Sequence, residues 1–205
     1  MPTGSLSSAN PVSRLSQGTE FHWLRAALEA AAMANGTWPL AQERSPAGWT
    51  CFPRVATRTL TADARAVREA RELPITTLHR WGTAQRCDDI ALVLSELVTN
   101  ALRHAVPVTG KVPGRRPIRV GLLLPGPCIL CVVADHNPRP PVRREPGCLA
   151  ETGRGLHVID ALSDNWGHTA LGDEGKSVWA VLTSTPTHVC SRTGSDGTRA
   201  ISSRH

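Results

Sequence analysis

The chain has 205 residues, of which 40% are apolar and 20% charged, and this composition predicts a soluble globular protein with one domain and additional segments. The formal charge of +6 is carried almost entirely by arginines, which are scattered rather than grouped with aromatic residues, so direct nucleic-acid binding is not expected. No segment is long and apolar enough to span a membrane. We therefore expect a cytoplasmic protein without a membrane partner.

Six cysteines are distributed irregularly, and Cys128 and Cys131 form a CxxC motif inside a predicted strand. Positions three apart in a strand face opposite sides, so these two thiols do not converge. A single CxxC motif without a second pair is weak support for zinc. We expect reduced thiols with a structural role.

Residues 1–48 read as an N-terminal extension. Residues 1–19 are rich in Ser, Pro and Gly and are expected to be disordered. Residues 20–34 form a possible amphipathic helix, with Phe21, Leu24, Leu28 and Ala31 on one face and a break at Asn35-Gly36. The pattern leaves open whether this helix docks on the domain or on a partner.

The compact domain is predicted at residues 49–184, followed by a disordered tail at 185–205. A helix at 64–81 is capped by Thr61 or Asp63 and contains Pro74, which is expected to kink or divide it. A second helix at 88–105 is N-capped by Asp88 or Asp89. The remaining predicted elements are strands at 49–52 and 54–60, a hairpin at 118–124 and 128–134, a short helix at 156–163, and a hairpin at 165–171 and 176–183. This order predicts an α+β two-layer sandwich, with a mainly antiparallel sheet covered on one face by helices.

The helix at 88–105 combines an apolar stripe with a polar edge. Glu96 and Asn100 lie one turn apart along the margin of a stripe formed by Ile90, Leu94, Leu97, Val98, Ala101 and Ala105. A carboxamide oxygen suits Mg²⁺, which prefers hard oxygen ligands, and a neighbouring carboxylate can polarise a hydroxyl or a water. The alternative is that both are ordinary boundary residues of an amphipathic helix.

Two further segments carry polar groups at the ends of apolar elements. Asp135 ends a very apolar strand, where its carboxylate can accept a hydrogen bond from the amino group of a base, or form an Asx-type turn with the residues around Asn137. The Gly153-Arg154-Gly155-Leu156 segment opens a helix, whose free N–H groups can bind an anion. Taken alone, a GxG pattern is a weak signal.

Together with the strand GKSVWA at 175–180, these segments resemble the motifs of the GHKL (Bergerat-fold) ATP-binding superfamily, in the same order. The SELVTNALRHA helix, the GRGL turn and the GKSVWA strand are most similar to those of bacterial anti-sigma factor serine kinases and related ATP-binding regulators. The resemblance covers residues 49–184 and implies the Bergerat fold for that region.

The resemblance also implies roles for individual residues. Glu96 would be the catalytic base and Asn100 the Mg²⁺ ligand. Asp135 would bind the adenine amino group, and backbone amides of the GRGL turn would bind the phosphates of ATP. The nucleotide-binding residues implied in this way are Asn100, Asp135, Asn137, Gly153, Arg154, Gly155, Leu156 and Ser177, with the Ser177 hydroxyl near the adenine.

Family members act as homodimers that bind a sigma factor and phosphorylate a serine or threonine of an anti-anti-sigma (STAS-type) protein. The resemblance therefore implies a protein serine/threonine kinase that uses ATP and Mg²⁺. This chain has Asp135-His136-Asn137-Pro138 where the wider superfamily has Asp-x-Gly-x-Gly, and a flexible glycine lid is not expected. The alternative function is a non-catalytic, ATP-dependent switch that sequesters a partner.

Overall fold

The computed structural model describes residues 19–35, 54–104, 116–142 and 154–183. Within these ranges the chain forms four α-helices and five β-strands, with short 3-10 turns at Thr19–Phe21 and Gly172–Glu174. In chain order they are α1 (His22–Ala34), β1 (Arg54–Leu60), α2 (Arg65–Trp81), α3 (Cys87–Arg103), β2 (Ile118–Leu124), β3 (Cys128–Asp135), α4 (Arg154–Leu162), β4 (Asn165–Ala170) and β5 (Lys176–Thr183).

The five strands form one sheet in the order β1-β2-β3-β5-β4, and each neighbouring pair is antiparallel. Both predicted hairpins are present, and β5 crosses over to lie between β3 and β4. The predicted α+β class and antiparallel sheet are therefore confirmed. The register places Asp135, the last residue of β3, directly opposite Lys176, the first residue of β5.

Helices α2, α3 and α4 cover one face of the sheet and enclose the main core. The predicted stripe of α3 is buried here, from Ile90 through Ala101, whereas Ala105 lies outside the described residues. It packs with Leu73 and Leu78 of α2, Ile159 of α4 and the strand residues Val120, Leu122, Ile129, Val133 and Leu182. Burial of these apolar side chains provides most of the driving force for folding.

Helix α1 covers the opposite face, which adds a layer that the sequence did not predict. Its buried residues Trp23, Leu24, Ala27, Leu28 and Ala31 form a second core with Leu123, Leu130, Val132, Ala134, Trp179 and Val181 of the sheet. Gly121 leaves the space for this contact, because a Cβ added there would lie 2.6 Å from Leu24 Cδ1. Of the two possibilities left open above, the helix docks on the domain.

The helix starts differ in detail from the predictions. Helix α3 begins at Cys87 with Arg86 at the N-cap position, so the prediction of Asp88 or Asp89 as the cap was wrong. Both carboxylates instead lie in the first turn, where they interact favourably with the helix dipole. At α2, the Asp63 carboxylate accepts a hydrogen bond from the Arg65 N–H at 2.8 Å.

Helix α2 is continuous through Pro74 rather than divided. The Pro74 side chain is buried. The predicted strand at 49–52, the N-terminal 18 residues and the tail lie outside the described residues. No helix in the part of the chain that is described could cross a membrane.

The two cysteines of the CxxC motif lie on opposite faces of the sheet, as predicted. Cys131 is fully buried in the main core and Cys128 packs against the second core. Burial raises the pKa of the Cys131 thiol well above its usual range, which keeps it protonated and unreactive. Among the described residues, no cluster of three His, Cys, Asp or Glu side chains could hold a metal ion.

Candidate functional site

A cavity of about 760 Å³ lies between the C-terminal half of α3, the ends of β3 and β5, the first turn of α4 and the loop at 136–142. Its apolar walls include Leu97, Ala101, Leu156 and Val178. Its polar lining residues are Asn100, Arg103, His104, Asp135, Asn137, Arg139 and Lys176. A mostly apolar cavity with a few convergent polar groups is typical of a small-molecule site.

The cavity brings together four of the predicted site residues. Asn100, Asp135, Asn137 and Leu156 all line it, although they come from three separate segments of the chain. Asn100 is half-buried on α3, whereas Asp135 and Asn137 are only 5% and 7% exposed. Gly153 and the side chain of Arg154 lie outside the described residues.

Glu96 lies beside this cavity, one turn before Asn100 on α3. Its side chain faces Gly155, and a Cβ added to Gly155 would lie 2.7 Å from Glu96 Oε2. The absence of a side chain at Gly155 therefore lets the carboxylate approach the first turn of α4. The N–H groups of a first helical turn have no partners within the helix, so the Glu96 carboxylate adjoins the donor end of α4.

The loop that follows β3 is held by two Asx turns. The Asn137 N–H donates to Asp135 Oδ1 at 2.8 Å, and the Arg139 N–H donates to Asn137 Oδ1 at 3.0 Å. Asn137 Nδ2 donates to the backbone oxygen of His104 at 2.7 Å, which ties the loop to the end of α3. His104 contributes its backbone here, and its side chain is exposed.

A buried ion pair that the sequence reasoning missed lies at the closed end of the cavity. Lys176 Nζ is 2.9 Å from Asp135 Oδ1, and the two side chains are each 6% exposed. The same ammonium donates to the backbone oxygen of Asn137 at 2.9 Å. Each charge thus has the partner that a buried ion requires.

Ser177 does not join the other predicted residues. Its side chain lies on the opposite face of the sheet, where it is fully buried and its hydroxyl donates to the backbone oxygen of Trp23 at 3.0 Å. Side chains alternate along a strand, so only one of two adjacent residues in β5 can point into the cavity. The register selects Lys176, which is paired with Asp135.

Gly175 lies close against the backbone of Asp135, and its replacement should lower the stability of the fold. Its φ is +103°, and an added Cβ would overlap with the carbonyl oxygen of Asp135. We expect Gly175→Ala to lower the free energy of unfolding by at least about 1–3 kcal/mol from backbone strain alone, measured by urea denaturation. Gly172→Ala is the control: its φ is +60° but nothing lies within 4 Å of the added Cβ. Equal losses in the two variants would contradict the role of close packing at Gly175.

The chain is similar to a known protein family and to solved structures. A family model described as a histidine kinase-like ATPase domain matches residues 60–182. No curated protein matches the sequence. Among solved structures, the chain is similar to the RsbU and RsbW domains of Rv1364c from Mycobacterium tuberculosis, with 20% identity and a TM-score of 0.46 over 63% of this chain. The matched part spans 32% of the length of that chain.

Proposed function

Because the chain belongs to the histidine kinase-like ATPase domain family, we propose that it binds ATP·Mg²⁺ in the cavity beside α3 and acts as an anti-sigma-factor-like regulator. In this proposal it transfers a phosphoryl group to a serine or threonine of an anti-anti-sigma partner and binds a sigma factor, as a homodimer. The observation that carries the proposal is the convergence of Asn100, Asp135 and the first turn of α4 on one cavity, with Glu96 against that turn.

The residues present fit an adenine nucleotide. A cavity of about 760 Å³ lies within the range of small-molecule sites, roughly 300–1,000 Å³. The apolar side chains of Leu97, Leu156 and Val178 suit the faces of a base, and the buried Asp135 carboxylate is an acceptor for an amino group. Phosphates would be bound by the N–H groups at the start of α4.

Asn100 and Glu96 would then carry the chemistry of transfer. Phosphoryl transfer depends mainly on positioning and on neutralisation of charge. Asn100 would hold the Mg²⁺ through its side-chain oxygen, and bound ATP supplies the phosphoryl group. Glu96 would accept the proton of the attacking hydroxyl. The hydroxyl oxygen would bond to the γ-phosphorus of ATP while the bond from that phosphorus to ADP breaks.

One observation favours the non-catalytic alternative, in which nucleotide binding only orders a surface for a partner. The loop at 136–142 has three prolines, Pro138, Pro140 and Pro141, and it is tied to α3 through Asn137. Proline fixes φ and restricts the backbone, so this loop is stiffer than a glycine-rich lid. A stiff loop is compatible with nucleotide binding, but it limits closure over the phosphates during transfer.

The function is tested in two steps. Calorimetry with ATP and MgCl₂ first measures binding; then partners captured from the native host and identified by mass spectrometry are incubated with the protein and γ-labelled ATP. We expect Mg²⁺-dependent binding and label on a serine or threonine of a small captured partner. Binding without transfer to any partner supports the alternative, whereas no nucleotide binding contradicts both functions.

Asn100→Ala should weaken Mg²⁺-dependent ATP binding at least about tenfold, which corresponds to the loss of about 1.4 kcal/mol. The variant removes the carboxamide proposed as the metal ligand, and calorimetry with and without Mg²⁺ separates this effect from a change in base binding. Thr99→Ala is a matched truncation, because Thr99 Oγ1 donates to the Ser95 carbonyl within the helix. If Asn100→Ala binds ATP·Mg²⁺ as tightly as Thr99→Ala, Asn100 is not the metal ligand.

A further inference from the structure

The Asp135–Lys176 pair determines which hydrogen-bond donors and acceptors the closed end of the cavity presents to a base. The two side chains lie side by side and both line the cavity. Their positions are fixed by the sheet, since the register sets Asp135 opposite Lys176, and by the close approach of Gly175 to the Asp135 backbone. The fold therefore holds both side chains at defined positions in the cavity wall.

The ammonium group has hydrogen-bonding capacity beyond the pair itself. A lysine ammonium carries three N–H donors, and those of Lys176 contact Asp135 Oδ1 and the Asn137 carbonyl oxygen. Both hydrogen bonds that the Asp135 carboxylate accepts from described residues use Oδ1. The closed end of the cavity thus combines a charged donor and a charged acceptor.

We propose that Lys176 is a specificity-determining residue, which together with Asp135 lets the cavity accept 6-oxopurine nucleotides as well as adenine nucleotides. The inference rests on the proposed function, in that the cavity binds a nucleotide. It adds that guanine and hypoxanthine are not rejected at this site.

The chemistry of the two purine edges explains the effect. A carboxylate alone can only accept hydrogen bonds, so it suits the amino group of adenine and repels the carbonyl oxygen that guanine has at the same carbon. Sites built around such a contact reject the wrong partner by factors of about 10⁴–10⁵. An adjacent ammonium supplies a charge-assisted donor for that carbonyl oxygen.

With both groups present, each purine finds complementary partners. Adenine can accept from Lys176 at ring nitrogen N1 and donate its amino group to Asp135. Guanine can accept from Lys176 at its carbonyl oxygen and donate its ring N–H and amino group to Asp135, with its base turned over relative to adenine, because the acceptor and donor positions follow in the opposite order along its edge. Neither base leaves a buried group unpaired, and it is unpaired groups that give strong discrimination.

The test is calorimetry of the whole chain with ATP, GTP and ITP in MgCl₂. We expect GTP and ITP to bind with dissociation constants within about tenfold of that of ATP, a difference of about one hydrogen bond. A preference for ATP above about 10³-fold would overturn the inference and leave the proposed function standing. Absence of binding by all three nucleotides would overturn the proposed function, and the inference with it.

A variant pair separates base recognition from general charge effects. Lys176→Met removes the donor and should raise the preference for ATP over GTP at least about tenfold. Arg103 also lines the cavity but is exposed at its mouth. Arg103→Met should therefore weaken the binding of all three nucleotides alike and leave the ratio of their dissociation constants unchanged. An unchanged ratio in a folded Lys176→Met protein would overturn the inference. If that variant does not fold, the wild-type series alone decides.

Discussion

Replacement of Glu96 with alanine is expected to slow phosphoryl transfer to a partner by about 10²–10⁴-fold, the usual contribution of a general base, while ATP binding is largely retained. The carboxylate lies against Gly155, next to the donors at the start of α4, whereas the apolar walls and Asp135 are formed by other residues. Loss of the side chain therefore removes a proton acceptor without removing the residues proposed to contact the nucleotide.

Single-turnover transfer of labelled phosphate, compared with ATP affinity from calorimetry, measures the two effects separately. Glu96→Gln keeps the shape of the side chain and should be about as slow as Glu96→Ala. Glu72→Ala is a control for loss of a carboxylate, because Glu72 is about half exposed on α2 and pairs with Arg68. Transfer by Glu96→Ala at the wild-type rate would remove Glu96 from the catalytic assignment.

The main core and the helix that carries Asn100 could be predicted from sequence because their signals are local. The spacing of the apolar residues in α3 places them on one face of the helix, which predicts that this face is buried. In the structure the predicted stripe is buried from Ile90 to Ala101. The hairpins were equally clear, since turn residues separate two short segments of strand character in each case. Local signals place residues on a face of an element, but they do not specify which element covers that face.

The positions of Ser177 and Lys176 show where this limit lies, since Lys176 rather than Ser177 lines the cavity. Strand β5 is buried on both faces, with Val178 in the main core and Trp179 in the second core. A strand of this kind reads as a continuous apolar run, so its sequence does not reveal which alternate residues face the site. Only the pairing with β3 determines which residues of β5 face the site, because residues directly opposite in an antiparallel pair share a face. The Asp135–Lys176 pair follows from that register.

The docking of α1 had one local signal. An isolated glycine within a strand often marks a close approach by another part of the chain, and Gly121 lies in the middle of the apolar strand β2. In the structure, Trp23 and Leu24 occupy the space above it. The amphipathic pattern of α1 predicts an apolar face, and the structure shows that this face rests on the sheet at Gly121.

Trp23→Ala is expected to lower the free energy of unfolding by about 3–5 kcal/mol, the usual cost of truncating a buried tryptophan. Trp23 is 2% exposed, its ring lies beneath the Arg119 guanidinium at 5.6 Å, and its backbone oxygen accepts from Ser177. Urea denaturation followed by circular dichroism measures the loss. Met33→Ala on the same helix is the control, because Met33 is 86% exposed and its truncation should change stability by less than about 0.5 kcal/mol.

Hydrogen exchange then distinguishes two ways in which the loss could arise. If α1 belongs to the cooperative unit, amides of α1 and of β5 should lose protection together in Trp23→Ala, because the second core is shared between them. If α1 detaches alone, its amides exchange rapidly while those of β5 stay protected, and the measured loss is limited to the free energy of docking. A Trp23→Ala protein as stable as Met33→Ala, with α1 still protected, would contradict the assignment of Trp23 as the anchor of this helix.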